Sequence, residues 1–367
     1  MKKCVIASDS FKGTLSSKEI TEIFENEFER FFPDAELAKV VLGDGGENTL
    51  EVFAENFPNG KFHHLKVTGP NYQKVDAKYY TYDDYAVIEL AEASGLVLAT
   101  ERNPLKTTTF GVGELIFDAY SKGFRRFYVA LGGSSTNDGG CGLLSALGVK
   151  FYDASGVAFV PTGGLLSEIV RIDPSGLKVK DAHFTILSDV QNPMFGEKGA
   201  ARIFAKQKGA DVDDIPLLDD GLKHLSDLII ETTGKHVEDI PGSGAAGATS
   251  AGMLAFLDAE ICSGIDTILQ LINFDAIIAD ADYVFTGEGK LDSQSFDGKL
   301  ISGILKSAKR NNVPVICICG KVEENISTNQ FYKVYSTSNG EEDFETIKLN
   351  AKDNYEKTVK NCFIELK

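Results

Sequence analysis

Five times along this chain an apolar, β-rich run of about five residues gives way to glycines mixed with an acid or a hydroxyl, and then in most cases to a helical period. "CVIASD" (4–9) leads into "SFKGTLSSKEITEIFENEF", where Ser16 and Glu19 carry a capping-box signature and Ile20, Ile23, Phe24 and Phe28 form an apolar stripe. "RFYVAL" (126–131) leads to "GGSSTNDGG", "FTILSD" (184–189) to "VQNPMFGEKGA", Tyr283, Val284 and Phe285 to "TGEGKLDSQSFDGK" (286–299), and "VPVICIC" (313–319) to Gly320 and Lys321. Strands that alternate with helices must be mainly parallel, so the pattern predicts an α/β fold. Ligands of such sheets bind beyond the carboxyl ends of the strands, where the glycine-rich segments are expected to converge.

Residues 61–84, "KFHHLKVTGPNYQKVDAKYYTYDD", alternate apolar and polar side chains around a Gly-Pro-Asn turn and predict antiparallel strands of a different architecture. We therefore expect two domains: a discontinuous, Rossmann-like, mainly parallel three-layer domain from residues 1–65 and 265–367, and an inserted mixed α/β domain over 66–264. Residues 211–241, charged and helical in period, read as a surface arm of the insert. The last thirty or so residues read as a helix and a final strand, with no functional motif.

The 367 residues and 43% hydrophobic content suit buried cores. Against 37 Lys and Arg stand 54 Asp and Glu, a formal charge of −17, with no basic stripe, which argues against a nucleic-acid partner. The six cysteines are scattered, mostly in apolar runs, and Cys317 and Cys319 have the wrong spacing for a CxxC motif. The opening "MKKCVIASDS" enters a strand pattern directly and predicts no signal peptide, and no run approaches the ~20 apolar residues of a membrane span. A cytoplasmic protein with no membrane partner is the expectation. A homo-oligomer is compatible with the sequence.

Formal motifs mostly fail. "GSGAAG" (242–247) fits GxGxxG, but no buried strand precedes it and no acidic ribose partner follows; its expected role is a tight backbone approach opening the small-residue helix "AAGATSAGMLAFL". No GxxxxGK[ST] exists, and His63, His64, His183, His224 and His236 lie outside the glycine-rich stretches, which argues against histidine catalysis. Those stretches share other chemistry: Ser8, Asp9, Ser10 and Lys12; Asp44 and Glu47; Gly132, Gly133, Ser134, Ser135, Asn137 and Asp138; Asp189 and Asn192; Gly244; Gly287, Glu288, Lys290 and Asp292. Phosphoryl transfer needs this inventory of lysines and backbone N–H groups for phosphates, carboxylates for Mg2+, and one carboxylate to accept a hydroxyl proton. Any one of these acids is equally well a helix cap or a turn residue; only their convergence would tell the two apart.

Taken together and in order, "SDSFKGTLSS", "GDGGENT", "LGGSSTNDGG", "SDVQNPMFGEKGAARIFAKQKGA", "PGSGAAGATSAG" and "TGEGKLDSQSFDGK" closely resemble the type I glycerate kinase family, from about residue 4 to about residue 320. The resemblance implies ATP-dependent phosphorylation of D-glycerate, with 2-phosphoglycerate the product implied for this family, in a two-domain protein whose substrate cleft lies between the domains. The chain departs from the family where glycine tends to stand at Asn48 and at Ala248, and alanine at Ser135. Carried onto this sequence, the resemblance suggests Asp189 as the base. It suggests Lys12 and Lys290 for phosphate charge, Glu288, Asp292 or Asp44 for Mg2+, and the remaining loop residues for substrate and phosphate binding. Two alternatives stay open: a kinase of another small hydroxy acid, and a noncatalytic sensor of hydroxy acids or nucleotides.

Overall fold

The computed structural model describes every residue except 12, 44, 45, 47, 297–299 and 339–341, together with the side chain of Gln294. The chain forms two compact units, Met1–Asp44 with Ile265–Lys367, and Gly45–Gly264.

The first unit is a parallel sheet whose strands stand in the order Lys333–Ser336, Val315–Cys319, Tyr283–Thr286, Lys3–Ile6, Glu36–Lys39. In order of appearance along the chain this is 2-1-3-4-5, the doubly wound arrangement whose winding reverses between its first and third strands. The strands have the β-branched and cysteine-rich composition of a sheet covered on both faces. Cys4, Ile6, Phe285, Ile316 and Ile318 face one way, into a cluster with Phe24 and Phe28 of helix Ser17–Phe31 and Val359 and Phe363 of helix Phe344–Leu366. Phe24 is its hub, edge-on to Phe285 at 4.7 Å and to Phe363 at 5.1 Å between ring centroids. Strand alternation turns Val5, Val284 and Cys317 to the opposite face. The predicted capping box is formed: Glu19 N–H donates to Ser16 Oγ at 3.2 Å, and Ser16 N–H to Glu19 Oε2 at 3.0 Å.

The second unit is a mixed six-stranded sheet, in the order Glu260–Cys262, His183–Leu187, Arg126–Ala130, Tyr85–Glu89, Lys74–Tyr82, Lys61–Thr68. Its first four strands are parallel; the predicted antiparallel pair joins the same sheet through Tyr85–Glu89. Helix Ala245–Phe256 is buried along nearly its whole length, and its small residues are required: a Cβ on Gly252 would lie 2.4 Å from Gly139 O. Two expectations are corrected. Residues 211–241 are no surface arm, because Leu218, Leu222, Leu225 and Ile229 of helix Asp214–Thr233 form a stripe in the core. The chain also ends in helix Phe344–Leu366, and its last strand, Lys333–Ser336, precedes that helix.

Candidate active site

In the first unit the loops that follow four parallel strands meet at one edge. Strand Lys3–Ile6 continues in pairing: Ala7 N–H donates to Phe285 O at 2.8 Å and Asp9 N–H to Gly287 O at 3.0 Å. Ser8 Oγ donates to Gly287 O at 3.1 Å, so its hydroxyl ties the two loops together. Ser10 N–H turns back to Asp9 Oδ1 at 2.6 Å. A Cβ on Gly287 would fall 1.9 Å from Ile318 O, and one on Gly320 2.3 Å from Gly289 O. Those two glycines are demanded by neighbouring main chain. Phosphate approach is not needed to explain them.

At this edge, where the winding reverses, opens a cavity of about 460 Å³ lined by Asp9, Ser10, Glu288, Lys290, Asp292 and Lys321. Lys290 Nζ donates to Glu323 Oε1 at 2.8 Å and stands 3.7 Å from Asp292 Oδ2, and both carboxylates, Glu323 first, hold its pKa above the ordinary value. Lys321 is a cation that sequence reading did not assign to the site. Among the described residues no three His, Cys, Asp or Glu side chains form a metal cluster. Lys12 and Asp44, expected here for phosphate and metal, lie outside the described residues, as does Glu47.

In the second unit three more stretches meet beyond strands Arg126–Ala130 and His183–Leu187. Gly132 and Gly133 are half-buried, and Gly133, at φ 70°, accepts from Leu96 N–H at 2.8 Å. Ser135 Oγ donates to Ser94 O at 2.8 Å. Asp138 is fully buried and accepts from Thr109 N–H and Oγ1, both at 2.8 Å, and from the N–H groups of Gly140 and Gly142 at 3.1 and 3.2 Å. Burial raises its pKa against the pull of these bonds. Ser135 and Asp138 thus hold the loop's shape. Asn137 differs: it is 0% exposed, and neither atom of its carboxamide has a hydrogen-bond partner among the described residues. Such an orphan is rare and calls for a polar ligand or water.

Asp189 and Asn192 follow strand His183–Leu187 and are half-buried. Asn192 Nδ2 donates to Lys198 O at 2.8 Å, and Gly244 N–H donates to Asn192 O at 2.9 Å. A Cβ on Gly244 would meet Pro193 O at 2.2 Å. Beyond it Ala246, Gly247 and Ala248 are successively left-handed, with φ of 54°, 65° and 64°. This costly turn seats the chain on the serine-rich loop, where Gly139 N–H donates to Gly247 O at 3.0 Å and a Cβ on Gly247 would lie 2.1 Å from Thr136 O.

Two residues of the second unit went unread in the sequence. Lys208, only 3% exposed, donates to Thr136 O at 2.6 Å and reaches Ser134 Oγ at 3.4 Å; burial lowers its pKa to about 7, with Asp138 opposing. Glu89, ending its strand, accepts from Asn48 N–H at 3.1 Å and Leu50 N–H at 3.3 Å at the start of helix Thr49–Asn56, and burial raises it to about 7. A lone lysine or glutamate gives no sign of burial in a sequence; only the apolar neighbours of each hint at it.

Comparison with known proteins identifies the family. The family model described as the glycerate kinase family matches residues 4–367. The chain is 42% identical to the glycerate kinase of Bacillus subtilis (strain 168), over 87% of this chain and 85% of that one. It is 42% identical to the glycerate 2-kinase of Escherichia coli (strain K12), over 88% and 86%. A crystal structure of a candidate glycerate kinase 2 from Salmonella typhimurium LT2 superposes with a TM-score of 0.87 at 38% identity, over 100% of this chain and 98% of that one. With an α/β fold of parallel strands and glycine-rich loops gathered at the strand ends, the chain belongs to the glycerate kinase family.

Proposed function

We propose that this protein transfers the γ-phosphoryl group of ATP to a hydroxyl of D-glycerate, giving 2-phosphoglycerate. One observation carries the proposal beyond family membership: lysines and carboxylates line a cavity at the carboxyl edge of the first sheet, where its winding reverses. Lys290 and Lys321, with Lys12, supply charge for the phosphates, and the loop N–H groups supply directed donors. Mg2+ takes oxygen ligands and needs only one or two carboxylates beside phosphate and water, so the donor set of Glu288 and Asp292 fits it without a three-carboxylate cluster. When bound, it would neutralise charge on the nucleotide phosphates. In the second unit Asp189 serves as base for the acceptor hydroxyl, and the orphan amide of Asn137 is offered to the polar acid. Asp138, Ser135 and Lys208 shape the loop that presents Asn137. ATP as substrate and six free thiols support a cytoplasmic location.

The test is ADP release with ATP, Mg2+ and D-glycerate, followed by phosphorus NMR of the product. Glycerate-dependent ADP and a 2-phosphate ester are expected. A folded protein that binds nucleotide without turnover would remove the glycerate assignment.

A further inference from the structure

The strand-end loops account for the charged part of the cavity and leave its apolar wall without a role. That wall comes from Phe11, Leu300 and helix Phe344–Leu366, which contributes Phe344, Ile347, Ala351 and Asn354. The four recur at intervals of three, four and three residues, which puts them on one stripe of the helix. A second stripe, Tyr355, Val359, Cys362 and Phe363, packs in the core together with Ala351, so Phe344, Ile347 and Asn354 are not needed to dock the helix. Phe344 is 55% exposed, a large aromatic at the cavity whose ring lies 2.9 Å from where a Cβ on Gly13 would stand. The Asn354 side chain makes no hydrogen bond among the described residues; the bond from Thr358 Oγ1, at 2.7 Å, goes to its main-chain oxygen.

We propose that this stripe is the nucleobase subsite and that Asn354 selects adenine. The inference rests on the kinase reading for the identity of the ligand. A cavity of about 460 Å³ that is apolar along one helix and carries two lysines at the strand ends has the polarity pattern of a nucleoside phosphate. Glycerate has no surface to set against Phe344, Ile347 and Ala351. A purine does, and the aromatic ring adds stacking. The carboxamide of Asn354 presents an acceptor beside a donor, the complement of adenine's exocyclic amine beside a ring nitrogen; guanine places an acceptor oxygen where that amine stands.

The test is calorimetric binding of ADP, GDP and inorganic tripolyphosphate to the full-length wild type, Phe344→Ala and Asn354→Leu, with thermal melts to verify folding. Each variant is expected to weaken ADP about tenfold while tripolyphosphate affinity and the KM for glycerate stay within about twofold, and Asn354→Leu should bring ADP and GDP within about threefold of each other. ADP affinity within about twofold of wild type in both folded variants, or tripolyphosphate affinity falling in step with ADP, would overturn the subsite. A wild type that shows the ADP effects but makes no ADP from ATP and glycerate would overturn the glycerate reading and leave the subsite standing. A wild type that binds no ADP would overturn both.

Discussion

Replacing Lys208 by methionine keeps the length of the buried stem and removes the ammonium. Burial lowers this lysine from its ordinary 10.5 to about 7. A lysine lowered on folding costs stability wherever both states would otherwise be charged. Below pH 7 the full cost applies, about 5 kcal/mol at ~1.4 kcal/mol per pKa unit. Between pH 7 and 10.5 the unfolded chain holds a proton that the folded one has lost, so stability rises with pH; above 10.5 the cost is gone. Lys208→Met does not titrate there. Urea unfolding followed by circular dichroism, run on both proteins from pH 7 to 10, should show the variant's relative advantage shrinking by about 1.4 kcal/mol per pH unit. The variant also loses the donor to Thr136 O, so its KM for glycerate should rise about tenfold even where it is the more stable protein. A stability difference that stays flat with pH would refute the reasoning: the ammonium would then remain charged, held by Asp138 against its desolvation.

Asp189→Asn should lower kcat about a hundredfold or more with an unchanged melt, and near-normal turnover would remove Asp189 as the base. Gly287→Ala drives a Cβ to 1.9 Å from Ile318 O, so it should cost about 3 kcal/mol or more in denaturant unfolding. Gly156→Ala, at a left-handed φ of 78° but facing open space, should cost only about 1 kcal/mol; equal losses would discredit the close-contact account. Glu89, raised to about 7, binds a proton in the folded state that the unfolded chain releases between pH 4.5 and 7, so stability should fall by about 3 kcal/mol across that window. Glu89→Gln should abolish that part of the pH dependence, and an unaltered profile would show that Glu89 is ionised throughout.

Strands Lys3–Ile6, Tyr283–Thr286 and Val315–Cys319 of the first unit were legible because each is a short β-rich run that gives way to small and polar residues, and runs such as "VICIC" leave no helical alternative; Glu36–Lys39 and Lys333–Ser336 carry no such signal. Helix Asp214–Thr233 was misjudged because Asp219, Asp220, Lys223 and Asp227 interrupt its leucine stripe, and Asp219 is itself buried, accepting from Gly196 N–H at 2.9 Å. The three departures from the family pattern have local causes. Asn48 and Ala248 occupy left-handed positions that glycine adopts freely, and Ser135 adds a bond to Ser94 O. The site was half legible. Loop chemistry announces itself through glycine and charge, whereas Lys208 and Asn354 matter through their surroundings, which a linear pattern does not contain. The final helix looked featureless because two stripes are superimposed on it, one for the core and one for the cavity.

The pairing of Lys3–Ile6 with Tyr283–Thr286 also has a bearing on how the chain is made. Strand Lys3–Ile6 is an inner strand whose partner on one side is synthesised only after the whole of Gly45–Gly264. At cellular elongation rates that delay is on the order of tens of seconds, long compared with the folding of the contiguous unit. The second unit can therefore complete its sheet during translation while Cys4, Val5 and Ile6 wait with one hydrogen-bonding edge open. That interval is when an apolar strand is most exposed to pairing with another nascent chain, and when a chaperone holding the segment Met1–Asp44 would do most for yield.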